Sequence, residues 1–346
     1  MEHPMPHEIR IADIDVGGDY HRIILDGIPC PTGLTAFEIR QHFLEHHDQL
    51  RRMLLSFPFG TDEMCVDLLF TSSNEKAAYG QIVMECMGYP YFSGSNTSAT
   101  IAAMLEFGFI AKHDGTHRIM HEMPSGLVEA EYRIRDGVIE DITIEGDDSY
   151  VMQDRISVAL EGYGQIDCAL VWSGAIFIMV DAAQLDMDID ADNLERMKSI
   201  GLMLTESFAT GFSYEHPLLG RLEPPKFVNF MGPVRDQDGV SYSGCGAVFG
   251  HPGTIFRCPT GTGTAARMAL EITRGKMPEN AVFHNRSATG TQFTGRALDW
   301  RQQNGINMIG ITISSRPYLL SASILNVDFT NPSLGEFEAL QSLFAS

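Results

Sequence analysis

The sequence predicts an α+β protein built as two similar halves. Two segments are near copies of each other: SGSNTSATIAAML from Ser93 to Leu105, and TGTGTAARMALEI from Thr260 to Ile272. Their starts lie 167 residues apart (260 − 93), about half of the 346-residue chain. Each follows runs of strand-like alternation and precedes more of the same, so each half reads as strands, helix, strands, a glycine-entered helix, and strands again. A sheet wrapped on one central helix in each half is the simplest arrangement of those elements.

Taken in order, IRIADIDV and HRIILDG read as strands about the turn VGGD, and a polar helix is expected from Leu34 to about Leu54. MCVDLLFTSS and YGQIVMECMGY read as strands leading to the first repeated motif, whose helix ends near Gly108. HRIMHEMPSGLVEAEYRIRDGVIEDITIEG alternates, with turns at PSG, RDG and EGD. In the second half, ALVWSGAIFIMVDAAQ is a strand pair turning at Ser173 and Gly174, and a helix is expected from about Ala191 to Ala209. NFMGPVR and GCGAVFG lead to the second motif, whose helix runs to about Gly275. Two late strand segments and a terminal helix over LGEFEALQSLFA complete the chain. The expected domains are residues 1–150, joined by the C-terminal segment 325–346, and residues 151–324, with the boundary between Asp147 and Gln153.

Composition restricts the function. Hydrophobic residues at 44% and charged residues at 20% describe an ordinary globular chain. The 24 basic against 45 acidic residues give a formal charge of -21, which repels nucleic acid and anionic membranes as partners. The six cysteines (Cys30, Cys65, Cys86, Cys168, Cys245 and Cys258) form no CxxC pair and no metal-ligand spacing with histidine, so neither a disulfide framework nor a metal site is expected. No apolar leader and no membrane span is visible, and a cytoplasmic setting is the expectation.

The chemistry lies at the two motifs. The first N–H groups of a helix lack partners inside it, and with the helix dipole they favour an anion. Gly94, Ser95 and Asn96 in the first motif, and Gly261, Thr262, Gly263 and Thr264 in the second, are the candidate anion-binding residues. Ser93 and Thr260, which open the motifs, would flank a bound carboxylate. The plain alternative is an N-cap at each, because serine and threonine are common there.

The same residues resemble the proline racemase superfamily, which shares the diaminopimelate epimerase fold. RCPTGTGTAARMA is similar to that family's second active-site motif and YFSGSNTSATIAAMLEFG to the first; IDVGGDYHRII, LRRMLLSFPFGTDEM, MPSGLVEAE and FTGRA resemble further landmarks in order. The resemblance implies two pseudo-symmetric domains, each a curved, mostly antiparallel sheet around a central helix, with the active site in the cleft between them. It implies an enzyme without cofactor, acting at the α-carbon of a small carboxylate or imino acid, and a monomer or homodimer.

In racemases and epimerases of this family both catalytic positions are cysteine. Here they are Ser93 and Thr260. A thiol near pKa 8.5 is readily tuned at a helix N-terminus, whereas an aliphatic hydroxyl needs a neighbouring base. Threonine at the second position resembles the trans-3-hydroxy-L-proline dehydratases, which need proton abstraction on one face only. The expected activity is therefore conversion of trans-3-hydroxy-L-proline to 1-pyrroline-2-carboxylate. The alternatives are proline racemisation or 4-hydroxyproline epimerisation, and carboxylate binding without turnover. Asp15, His21 and His251 are the candidate helpers. Phe256 stands where the family has an aspartate for the substrate amine. Cys258 supplies a thiol only if its loop is re-registered, and is otherwise a buried structural cysteine. Asp181, in a segment that resembles one near the family pocket, is expected to cap the turn after it.

Overall fold

Strand pairing follows one succession twice. In the computed structural model, residues 7–216, 220–303 and 305–344 are described. Contacts divide the chain into one unit of Met1–Ile142 with Arg316–Ser346 and a second of Thr143–Ser315.

In the first unit β1 (His7–Val16) and β2 (Asp19–Asp26) form an antiparallel hairpin. Gly17 and Gly18 make its turn at φ 69° and 96°, a region where glycine carries no steric penalty. Two helices, α1 (Ala36–His46) and α2 (Asp48–Leu54), lead to β3 (Cys65–Phe70), which lies parallel to β2. A capping box starts α1: Thr35 Oγ1 accepts the Glu38 N–H at 3.3 Å, and Glu38 returns its carboxylate to the Thr35 N–H at 2.8 Å. β4 (Gly80–Met84) runs antiparallel to β3. The chain then forms α3 (Gly94–Glu106) and returns through β5 (Gly115–Met123), parallel to β4, and β6 (Gly126–Arg135), antiparallel to β5. β7 (Val138–Glu145) carries the chain into the second unit. The strand Pro317–Val327, from the far end of the chain, pairs along the other side of β1.

The second unit opens with β8 (Tyr150–Leu160), β9 (Gly164–Trp172) and β10 (Ile176–Asp181), all antiparallel. α4 (Leu194–Ala209) and the two-residue strands β11 (Glu215–His216) and β12 (Gly220–Arg221) precede β13 (Phe227–Met231), which is parallel to β10. After the short β14 (Arg235–Asp236) comes β15 (Ser241–Gly250), antiparallel to β13. The short β16 (Thr254–Ile255) leads to α5 (Gly261–Thr273) and β17 (Val282–Arg286), parallel to β15. β18 (Gln292–Gln303) and β19 (Ile306–Ser315) finish the sheet antiparallel.

From β1 to β6 and from β9 to β18 the pairings therefore read antiparallel, parallel, antiparallel, parallel, antiparallel. Each parallel step needs a crossover, and the helices sit at the same crossovers in both units: α1 and α4 at the first, α3 and α5 at the second. The two motif helices are the central ones. Asn96–Leu105 and Gly263–Ile272 are buried throughout.

Three expectations need correction. The contacts divide the chain at Ile142/Thr143, inside β7, and at Ser315/Arg316, where residues 147–153 and 324/325 were expected. The helix expected over Leu34–Leu54 is two helices meeting at His47. The terminal helix is a 3₁₀ segment, Pro332–Leu340, followed by one α-turn, and its Leu334, Phe337 and Leu340 pack on the first unit's core. Among the described residues no helix is long and apolar enough to cross a membrane.

Candidate functional site

In the first unit, α3 begins immediately after Ser93, which is extended at φ -154°, ψ 120°. An ordinary cap would turn its hydroxyl onto a backbone N–H of the first turn; Ser93 makes no such bond. Its Oγ instead accepts from Asn96 Nδ2 at 2.7 Å. The same amide nitrogen donates to Glu85 Oε1 at 3.1 Å, and Asn96 Oδ1 meets His21 Nδ1 at 2.9 Å. With both amide hydrogens committed, Asn96 Oδ1 is the acceptor and the proton is assigned to His21 Nδ1. Burial depresses the His21 pKa to about 4, opposed by the bond to Asn96, so the ring is neutral at pH 7. Burial also pushes Glu85 up, reinforced by Asp19 and opposed by its bonds to Cys65 and Asn96. Cys65 donates to Glu85 Oε1 at 3.5 Å, and burial among Glu85, Asp19 and Asp67 raises its thiol well above the usual range. Gly94 faces open space: nothing lies within 4 Å of where a Cβ would stand.

In the second unit Thr260 is an N-cap. Its Oγ1 accepts the Gly263 N–H at 3.0 Å. Its backbone lies at φ 53°, ψ 142°, a left-handed value that β-branched residues rarely adopt. The surrounding bonds over-determine that conformation. Thr260 N–H donates to Cys258 Sγ at 3.2 Å, Thr264 Oγ1 donates to Thr260 O at 2.7 Å, and Asn285 Nδ2 donates to Thr264 Oγ1 at 2.9 Å. Asn229 Nδ2 holds Gly263 O at 2.8 Å. Gly263 has to be glycine, since a Cβ there would stand 2.3 Å from Thr260 Oγ1 and 2.8 Å from Val248. Deeper in α5, the fully buried Arg267 donates to the carbonyls of Cys245 and Gly232 and lies 5.1 Å above the Phe283 ring. Burial lowers its pKa to about 10, opposed by Glu271, and it stays charged.

Of the remaining candidates, His21 joins the Ser93 entrance. Asp15 closes the β1–β2 turn by accepting the Gly18 N–H at 3.1 Å. His251 lies in the turn between β15 and β16, its N–H on Lys226 O. Phe256 packs against the second unit's core, 6.4 Å from the Phe227 ring. Cys258 is buried beneath Thr260 as its backbone acceptor, so the re-registered loop is not adopted. Asp181 caps the following turn at Ala183 N, 3.0 Å, as expected. Thr264 is fully buried and braces the loop by its side chain.

Sequence reasoning missed Glu85, Cys65, Asn229, Asn285 and Arg267. A charged residue inside an apolar run, as in QIVMECM or AARMALEI, was the available signal. Among the described residues no three or more His, Cys, Asp or Glu side chains are grouped as ligands for a metal ion.

The sequence matches the family described as proline racemase over residues 11–337. A protein of Chromohalobacter salexigens is 36% identical over 324 residues, 94% of this chain and 90% of that one. Two solved structures, each covering 94% of both chains with a TM-score of 0.82, are a hydroxyproline epimerase from Agrobacterium vitis with bound trans-4-hydroxy-L-proline, at 25% identity, and a probable proline racemase from Agrobacterium radiobacter K84 with bound carbonate, at 26%. The doubled succession of strands, the two glycine-entered central helices and this full-length likeness have one reading: the chain is an enzyme of the proline racemase family.

Proposed function

We propose that the protein is a cofactor-independent hydro-lyase acting at the α-carbon of a 3-hydroxyproline-like imino acid, converting trans-3-hydroxy-L-proline to 1-pyrroline-2-carboxylate. The backbone N–H groups that open α5 hold the carboxylate. The resemblance of the two motifs assigns the Cα proton to Ser93, which takes it as its own hydroxyl proton passes to solvent, and the departing oxygen to Thr260, which donates its hydroxyl hydrogen and regains one from solvent. The Cα–H and C3–O bonds break, a Cα=C3 bond forms, water leaves, and the resulting enamine tautomerises to the cyclic imine.

The carrying observation is that both hydroxyl oxygens already accept an N–H, Ser93 from Asn96 and Thr260 from Gly263. Thr260 can therefore direct its own hydrogen to the leaving group, and the Ser93 oxygen is supported as it gives up its proton. Two such hydroxyls are poor partners for two-base racemisation and suffice better where only one face is deprotonated.

A second reading is epimerisation of a hydroxyproline, favoured by the likeness to the Agrobacterium vitis epimerase. Incubation of the purified protein in D2O with trans-3-hydroxy-L-proline and, separately, trans-4-hydroxy-L-proline tests both. Pyrroline-2-carboxylate from the first substrate alone supports the lyase. Deuterium at Cα of the second, without loss of water, supports the epimerase. Binding of both without change to either would leave a carboxylate-binding protein.

A further inference from the structure

Phe256 leaves a substrate imino nitrogen without the acid that the family resemblance expects, and its partly buried ring packs against the core. The second unit carries another acid beside the same helix. Gly174, in the β9–β10 turn, would bring a Cβ to 3.2 Å from Asp147 Oδ2 and 3.7 Å from Thr262 Cγ2. The Asp147 carboxylate and the second residue of α5 therefore share the wall made by that glycine.

The neighbouring acid makes the contrast. Asp148 pairs with Arg301 at 3.0 Å. Asp147 is exposed and has no ion pair among the described residues. The charged groups that act on it are Asp148, which repels it, and His216, which attracts it. The wall around its carboxyl pushes its pKa up, Asp148 adds to this, and His216 opposes it. A carboxylate with no cation of its own is available to an incoming one.

We propose that Asp147 receives the substrate's ammonium group and so determines that the protein takes imino acids and not plain carboxylates. An α-imino acid carries its negative and positive charges on either side of one carbon. It needs an anion site and a cation site side by side, and the start of α5 with Asp147 next to Thr262 provides both. The inference rests on the reading of an imino acid substrate.

Calorimetric binding of trans-3-hydroxy-L-proline and of tetrahydrofuran-2-carboxylate, whose ring oxygen replaces the charged nitrogen, tests it. The wild-type chain should prefer the imino acid by about tenfold or more, and Asp147→Asn should erase that preference while binding the oxygen analogue unchanged. The unchanged analogue also reports that the variant is folded. Asp148→Asn should keep the preference. Imino acid binding that Asp147→Asn leaves intact overturns the role of Asp147 and spares the proposed substrate. Binding of the oxygen analogue alone by the wild type overturns the role of Asp147 and leaves only a carboxylate site. A wild-type chain that binds neither ligand overturns the substrate reading, and this inference with it.

Discussion

Thr260 and Gly263 are locked to each other: the threonine hydroxyl takes the glycine N–H at 3.0 Å, and a methyl on the glycine would stand 2.3 Å from that oxygen. Gly263→Ala must push the cap aside and also meets Val248 at 2.8 Å. A loss of about 1–3 kcal/mol in urea unfolding is expected, with a larger loss of ligand binding because the start of α5 moves. Equal stability in the two proteins would count against this packing.

Substitution of Thr260 itself should favour glycine over alanine. Alanine removes the cap, at about 1 kcal/mol, and keeps a side chain at φ 53°. Glycine also loses the hydroxyl but relieves the left-handed strain, and as a cap it is only slightly worse than threonine. Thr260→Gly is therefore expected to be more stable than Thr260→Ala by about 1 kcal/mol, with turnover abolished in both. Denaturant midpoints give the comparison.

The Ser93 entrance depends on the direction of one amide. Asn96→Asp replaces the donor to Ser93 Oγ by an acceptor and buries a second carboxylate against Glu85, which is 3.1 Å from the amide nitrogen. The variant should lose at least about 2 kcal/mol of stability at pH 7 and recover part of it at pH 5, as the buried pair takes up protons more readily. Glu85→Gln keeps a neutral acceptor for Asn96 and should be well tolerated. Thermal unfolding at the two pH values separates these outcomes.

Two buried histidines set an acid limit. Burial holds both His21 and His121 at about 4, against about 6.5 when unfolded. Between those values the unfolded chain binds more protons, so stability rises with pH from 4 to 6.5 and is lost as pH falls through that window. At full effect this is about 3 kcal/mol for each ring. The raised carboxyl of Glu85 acts with the opposite sign, being protonated more readily in the folded chain. His121→Gln should therefore gain on the wild type as pH falls from 6.5 to 4. Parallel stability curves would argue that the ring is not held neutral.

The family's thiols can be restored. Ser93→Cys with Thr260→Cys places a thiol at each helix entrance, where the dipole lowers its pKa from about 8.5. If both positions face one substrate, the double variant should exchange the α-hydrogen of a hydroxyproline for deuterium faster than the wild type does. Each single variant should gain less. A double variant no faster than the parent would speak against the pairing.

The duplication was legible because it is written in backbone-directing residues: glycine at the entrances, small residues along the buried helices. The motif helices and most strands follow from it. The split at His47 was not legible, since the heptapeptide on either side is equally good helix. The role of Asn96 was half visible. Its place in the first turn suggested a backbone donor, while its side chain is what reaches Ser93, Glu85 and His21. Glu85 lies nine residues before α3, in a strand-like run, and Asp147 lies in a turn far before α5; only the folded sheet brings each of them to its helix. The left-handed backbone of Thr260 has no signature in the sequence, because tertiary bonds from Thr264 and Asn285 impose it.

The order in which the chain leaves the ribosome meets an asymmetry in this architecture. Residues 143–315 hold every strand of their own unit, so they can consolidate as soon as they emerge. The earlier residues cannot, for β1 is flanked on one side by Pro317–Val327 along its full length. The half synthesised first is thus completed last, and until then its β1 edge is open to strands of other nascent chains. Chaperone demand should concentrate there, on the amino-terminal portion waiting for its missing neighbour.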